Sequence, residues 1–266
     1  NHFYEIWKEA SDEKKEDWEA FQYNSIDNPI LDPEEIKTAR DTMSTQAFRQ
    51  EFEASFVSFT GGIFKPEWIK YNTEEPKEGN YVIAVDPAGF EKVEKERGLK
   101  GSKLDETAIT VVKIHNDEWW VKNILHGRWN IKETSSKILQ AAIENQATIV
   151  GIESGALKNA ILPYLEDEMR SQGRWVVITD VTHGGKKKAD RITWSLQGRL
   201  EHGKIKFNKG DWNKSFESQL LEFPTKGTHD DMVDSLAYID QVSVADFMHT
   251  IEIGEEWKPF DDIAGY

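Results

Sequence analysis

Three groups of carboxylates fall where a folded chain could use them. Asp86 closes the apolar run Tyr81-Val82-Ile83-Ala84-Val85, and Glu153 closes Ile149-Val150-Gly151-Ile152. Asp230, Asp231 and Asp234 open the last well-patterned helix. Clustered carboxylates repel one another unless a cation lies among them or one takes a proton. Oxygen ligands of this kind suit Mg2+ or Mn2+. Two such ions roughly 3.5–4 Å apart can activate a water and stabilise the leaving oxygen of a phosphodiester. All of these acids except Glu153 also have a plainer reading. Asp86 before Pro87 can form a turn, Asp230 can cap its helix, and Asp231 and Asp234 can face the helix dipole. No Ser/His/Asp elbow and no His-x-x-x-His spacing competes, and the absence of Cys excludes disulfides and thiolate zinc sites.

The elements that must position these acids follow from periodicity and turn chemistry. Tyr81–Val85 reads as a buried strand stopped by Asp86-Pro87. Thr107–His115 and Trp119–Arg128, joined by Asn116-Asp117, form an antiparallel hairpin. Asn130 and Glu133 make a capping box for a helix with Ile131, Ser135, Ile138, Ala142 and Ile143 on one face. A strand over Ala147–Ile152, a helix over Leu157–Ser171 and a strand over Trp175–Asp180 complete a β-β-β-α-β-α-β order. That order predicts an α/β fold, a mixed sheet of five or more strands flanked by helices. Under the right-handed crossover rule its first and fourth strands are parallel neighbours, so Asp86 and Glu153 emerge side by side. Helices over Ala189–His202, Lys214–Glu222 and Asp230–Val244, with a short strand at Lys204–Phe207, follow.

Residues 1–72 read as a mostly helical leader, with helices over Glu34–Ser44 and Thr45–Phe56 before a break at Gly61-Gly62. Residues 73–250 form the sheet domain, and 251–266 an acidic tail expected to be mobile. The charged stretch Phe90–Lys103 is longer than an ordinary hairpin loop. It is expected to be a lid over the acids rather than an ornament. The chain opens on Asn1 with no initiator Met, as expected for a piece of a longer protein, and no apolar run reaches the roughly 18 residues of a membrane helix.

The formal net charge is -15. Taken alone this opposes nucleic-acid binding, which needs Lys and Arg against phosphate. The charge is unevenly spread: between His183 and Ser215 nine bases face three acids, a local +6. Lys186, Lys187, Lys188, Arg191 and Arg199 are therefore the candidate DNA contacts.

The motifs Ala84-Val85-Asp86-Pro87-Ala88-Gly89, Asp105-Glu106-Thr107-Ala108-Ile109, Gly151-Ile152-Glu153-Ser154 and His229-Asp230-Asp231-Met232-Val233-Asp234-Ser235-Leu236-Ala237 stand in this order. In order and spacing the chain resembles the ribonuclease H-like nuclease domain of the large terminase subunit of tailed bacteriophages. Asn1-His2-Phe3-Tyr4-Glu5 is similar to the segment after that family's ATPase coupling motif. Phe48-Arg49-Gln50-Glu51-Phe52 through Gly62-Ile63-Phe64 is similar to its passage from motor to nuclease. The resemblance implies a Mg2+- or Mn2+-dependent, two-metal endonuclease that cuts concatemeric double-stranded viral DNA during packaging. Asp86, Glu153 and Asp231 would be its metal ligands. Asp230 would assist, and Asp234 is the other choice for the helix ligand. Asp105 is a secondary candidate, and Lys188, in a Lys-x-x-Arg pattern with Arg191, would contact the metal cluster or the scissile phosphate. The resemblance further implies a host bacterial cytoplasmic location outside the virion. The implied partners are duplex DNA, a portal, a small terminase subunit and other motor subunits, with no membrane.

No Gly-x-x-x-x-Gly-Lys-[Ser/Thr] loop is present; Gly184-Gly185-Lys186 has Asp180 for the leading Gly and Lys187 for the hydroxyl residue. No ATPase activity is expected from this chain. Two other readings keep part of the pattern: a Holliday-junction resolvase or transposase relative, and a motor-assembly module whose carboxylates bind no metal.

Overall fold

The computed structural model describes residues 6–7, 9–11, 18–55, 62–88, 105–147, 149–185, 187–225 and 229–254. The stretch 90–103, Lys186, the first five residues and the tail past Gly254 lie outside the described residues. So do the lid and mobile-tail expectations placed on them.

Among the described residues seven strands form one mixed sheet: β1 (Lys70–Tyr71), β2 (Asn80–Asp86), β3 (Thr107–His115), β4 (Glu118–Gly127), β5 (Ile149–Glu153), β6 (Val177–Val181) and β7 (Ile205–Phe207). Their order is β1-β7-β4-β3-β2-β5-β6. β2, β3 and β4 are an antiparallel meander, β5 and β6 add in parallel beside β2, and β7 adds in parallel beside β4. The helices are α1 (Pro33–Thr42), α2 (Thr45–Glu51), α3 (Ile131–Asn145), α4 (Ala156–Gln172), α5 (Lys188–Glu201), α6 (Asn213–Glu222) and α7 (Asp231–Gly254).

The near-continuous apolar run of β2 is explained by burial on both faces. Val82 and Ala84 pack with α5, α6 and α7, whereas Ile83 and Val85 pack with α3 and α4. The fold is thus a three-layer sandwich. The Asn130–Glu133 capping box starts α3 as the sequence predicts. Gly151 in β5 lets α7 lie close: a Cβ there would come within 2.3 Å of Val242 Cγ2.

Three boundaries differ from expectation. α2 stops at Glu51, because the chain turns away through Ala54 at φ 48°. α7 runs ten residues past Val244, into the segment expected to be tail. β1 lies on the leader side of the 72/73 boundary yet joins the sheet through β7. The leader helices dock on α5. The Glu201 carboxylate accepts from Thr45 N at 2.9 Å and Thr45 Oγ1 at 2.7 Å, and His202 Nε2 lies 2.8 Å from Met43 O.

Candidate active site

The parallel register pairs Val85 with Ile152, so the next residues, Asp86 and Glu153, end neighbouring strands at one edge. Their carboxyl groups are close enough to act on each other. Asp86 is only 9% exposed. Burial, then the carboxylate of Asp234 and that of Glu153, push its carboxyl well above the usual range, against the pull of Lys188. On its other side Glu153 meets a histidine, with His183 Nε2 2.7 Å from Glu153 Oε1. His183 follows β6 by two residues. Gln241 of α7 holds that loop by accepting from Thr182 N at 3.0 Å and donating to Thr182 O at 2.8 Å. Tyr238 OH lies 3.4 Å from His183 Nδ1.

The start of α7 crosses the same edge. Thr110 and Ser235 hydroxyls meet at 2.5 Å, which fixes the helix on β3. Asp231 Oδ2 accepts the backbone N–H of Glu106 at 3.0 Å. Burial raises the Asp231 carboxyl to about 6, with Asp105 adding to the effect and the Glu106 N–H, Lys188 and His229 opposing it. His229 Nδ1 stands 3.6 Å from Asp231 Oδ2 and 3.8 Å from Asp105 Oδ1.

Asp230 and Asp234 are occupied differently. Asp230 O accepts from Asp234 N at 2.8 Å, as the residue entering α7, while its side chain turns to Lys188 Nζ at 2.7 Å. Asp234 is 1% exposed and meets both Lys188 Nζ at 2.9 Å and the Arg191 guanidinium. Burial works against the charge of Lys188, but the two carboxylates outweigh it and hold the ammonium above its ordinary value.

The structure therefore gathers Asp86, Glu153, Asp230, Asp231, Asp234, Asp105 and Lys188 at one edge. It separates the basic stretch. Arg191 is buried and lies over the Tyr238 ring, 4.1 Å from its centroid, facing the core instead of solvent. Arg199 pairs with Asp117 in the β3–β4 turn at 2.5 Å, at the far end of the sheet. Lys187 is exposed just before α5. Two participants were not singled out from the sequence, His183 and His229. The latter sits in the quoted His229-Asp230-Asp231 motif.

Asp86, Glu153 and Asp231 offer hard oxygen donors to a divalent cation, and the buried, mutually repelling Asp86 is a group that such an ion would stabilise. Paired acids at adjoining parallel strand ends, beneath a helix N-terminus on a mixed sheet, define a ribonuclease H-like nuclease fold. The family described as Terminase RNaseH-like domain matches residues 83–240, and the chain belongs to it. The large terminase subunit of Escherichia phage T5 is 32% identical over 117 residues, 44% of this chain and 26% of that protein. The large terminase of a thermophilic bacteriophage, solved in complex with ATP-gamma-S, shares the fold at a TM-score of 0.58 and 13% identity, covering 90% of this chain and 60% of that one. The chain thus spans about a quarter of the T5 relative and three-fifths of the thermophilic one.

Proposed function

We propose that this chain is the nuclease portion of a terminase large subunit, an endonuclease dependent on Mg2+ or Mn2+ that cuts concatemeric double-stranded viral DNA during genome packaging. The meeting of Asp86 with Glu153 under the Asp231 end of α7 is the observation that carries this reading. Lys188 and Arg191 already balance Asp230 and Asp234, which leaves Asp86, Glu153 and Asp231 as the ligands. Divalent ions there would supply Lewis-acid charge and lower the pKa of water. The chain's own residues fix the geometry: β2 and β5 aim two carboxylates in register, the Glu106 N–H orients the third, and Lys188 limits repulsion between the acids. In packaging, the chain would act on duplex DNA in the host cytoplasm, beside portal, small terminase and other motor subunits. ATP hydrolysis would belong to another part of the protein. Among the described residues no helix is long and apolar enough to cross a membrane.

Plasmid relaxation and linearisation in Mn2+ test the reading. Asp86→Asn and Glu153→Gln should each lower cutting by a hundred-fold or more, and chelation should abolish it. Cutting by both variants at the wild-type rate, with folding unchanged, would overturn the assignment.

A further inference from the structure

Beside the Asp86–Glu153 pair lies a second set of donors of different chemistry. One ligand atom from each of Asp105, His229 and Asp231 lies within 4.8 Å of the other two. Metal–ligand bonds of about 2.0–2.2 Å place the donors of a single ion up to about 4.4 Å apart. The 3.6 Å and 3.8 Å separations of His229 Nδ1 from the two carboxylates already satisfy that, and the third pair lies within 4.8 Å. The donors arrive on two elements held against each other. Asp105 precedes β3, while His229 and Asp231 lie at the start of α7, and the Glu106 N–H to Asp231 Oδ2 bond ties the two together. Glu106 is itself pinned, its Oε2 lying 2.7 Å from His126 Nδ1 on β4. Asp105 is exposed and His229 partly so, which gives an ion access from solvent.

We propose that Asp105, His229 and Asp231 form a mixed nitrogen–oxygen site for one divalent transition-metal ion, Mn2+ or Zn2+, adjoining the Asp86–Glu153 carboxylates. An imidazole ligand favours these ions over Mg2+, which takes oxygen. Lys188 acts on both Asp86 and Asp231, so the two carboxylate sets are neighbours in one field. Asp231 is the shared member, and His229 sets the metal preference. This assignment rests on the nuclease reading and refines it.

Electron spin-echo spectroscopy of Mn2+ bound to the full chain separates the two ideas. The expected result is 14N modulation from a coordinated imidazole, lost in His229→Gln and retained in His183→Gln. Asp105→Asn should weaken Mn2+ binding about ten-fold while the 14N signal of the remaining bound ion persists. Bound Mn2+ with no 14N coupling would overturn the histidine site and leave the carboxylate reading standing. Coupling that survives His229→Gln, or vanishes only in His183→Gln, would also overturn it. Failure of the wild-type chain to bind Mn2+ at all would overturn both.

Discussion

Lys188 Nζ and Asp234 Oδ2 lie 2.9 Å apart, and this pairing divides the acidic edge into balanced and unbalanced halves. Asp234 also holds Arg191, which is 7% exposed. Among the described residues, the Nε and Nη1 atoms of Arg191 have no hydrogen-bond partner. Breaking a buried pair by removing one partner leaves an uncompensated charge and costs about 3–5 kcal/mol. Asp234→Asn should therefore destabilise the chain by about that much in urea unfolding without metal. A loss below about 1 kcal/mol would mean that the pair carries little of the fold.

Asp231 makes a prediction of opposite sign. Its carboxyl is raised from an ordinary 3.8 to about 6, so the folded chain holds this proton more tightly than the unfolded chain does. The resulting contribution to stability is fully present below the ordinary value and is lost as pH rises through about 6. Asp231→Asn removes the dependence. In chelator, the stability of the variant minus that of wild type should grow by on the order of 2 kcal/mol between pH 4 and pH 7.5. Paired denaturant curves at several pH values measure it, and a flat difference would contradict the burial argument.

Metal should relieve the same strain. A ligand that binds only the folded chain stabilises it by about 2.7 kcal/mol at a hundred times its Kd. Mn2+ should raise the unfolding midpoint of wild type, and chelator should reverse it. Asp86→Asn should raise the midpoint in chelator, because burial and the nearby carboxylates disfavour the Asp86 charge, and should blunt the Mn2+ response. Calorimetric unfolding with and without Mn2+ decides the point.

The adjacency of Asp86 and Glu153 could be read from sequence because helical crossovers dictate parallel pairing and each acid ends an apolar run. β1 could not: two residues carry no periodicity, and its pairing depends on β7 arriving from far along the chain. The roles of His183 and His229 depend on which strand ends and loops meet, which no local pattern records. The position of Arg199 relative to the acids was not legible in the sequence either. At about 1.5 Å of rise per residue Arg199 stands roughly 16 Å along α5 from Lys188, beside the opposite turn of the sheet.

That geometry yields a DNA-binding prediction. Arg199 and Lys204 are paired with Asp117, and Lys206 with Glu118, whereas Lys187 is exposed at the acidic edge. Against a net charge of -15, duplex affinity should be weak and salt-sensitive. Lys187→Ala should weaken it further and reduce the salt slope by about 1, whereas Arg199→Ala should change neither. Fluorescence anisotropy across a salt series distinguishes the two, and an equal effect of both would mean that the duplex also covers the far end of the sheet.

Gly198 places the last test at the joint between the leader helices and α5. A Cβ there would meet Thr42 O at 2.5 Å and Ser44 N at 2.8 Å, and neither backbone atom can swing aside as a flexible side chain would. Gly198→Ala should push the α1–α2 pair off α5 at a cost of about 1–3 kcal/mol. Hydrogen exchange should then quicken across residues 33–51. Lys188 lies at the other end of α5, almost three turns away, so Mn2+ affinity should hold within two-fold. A larger drop in affinity would mean that α5 transmits displacement of the leader to the acidic edge.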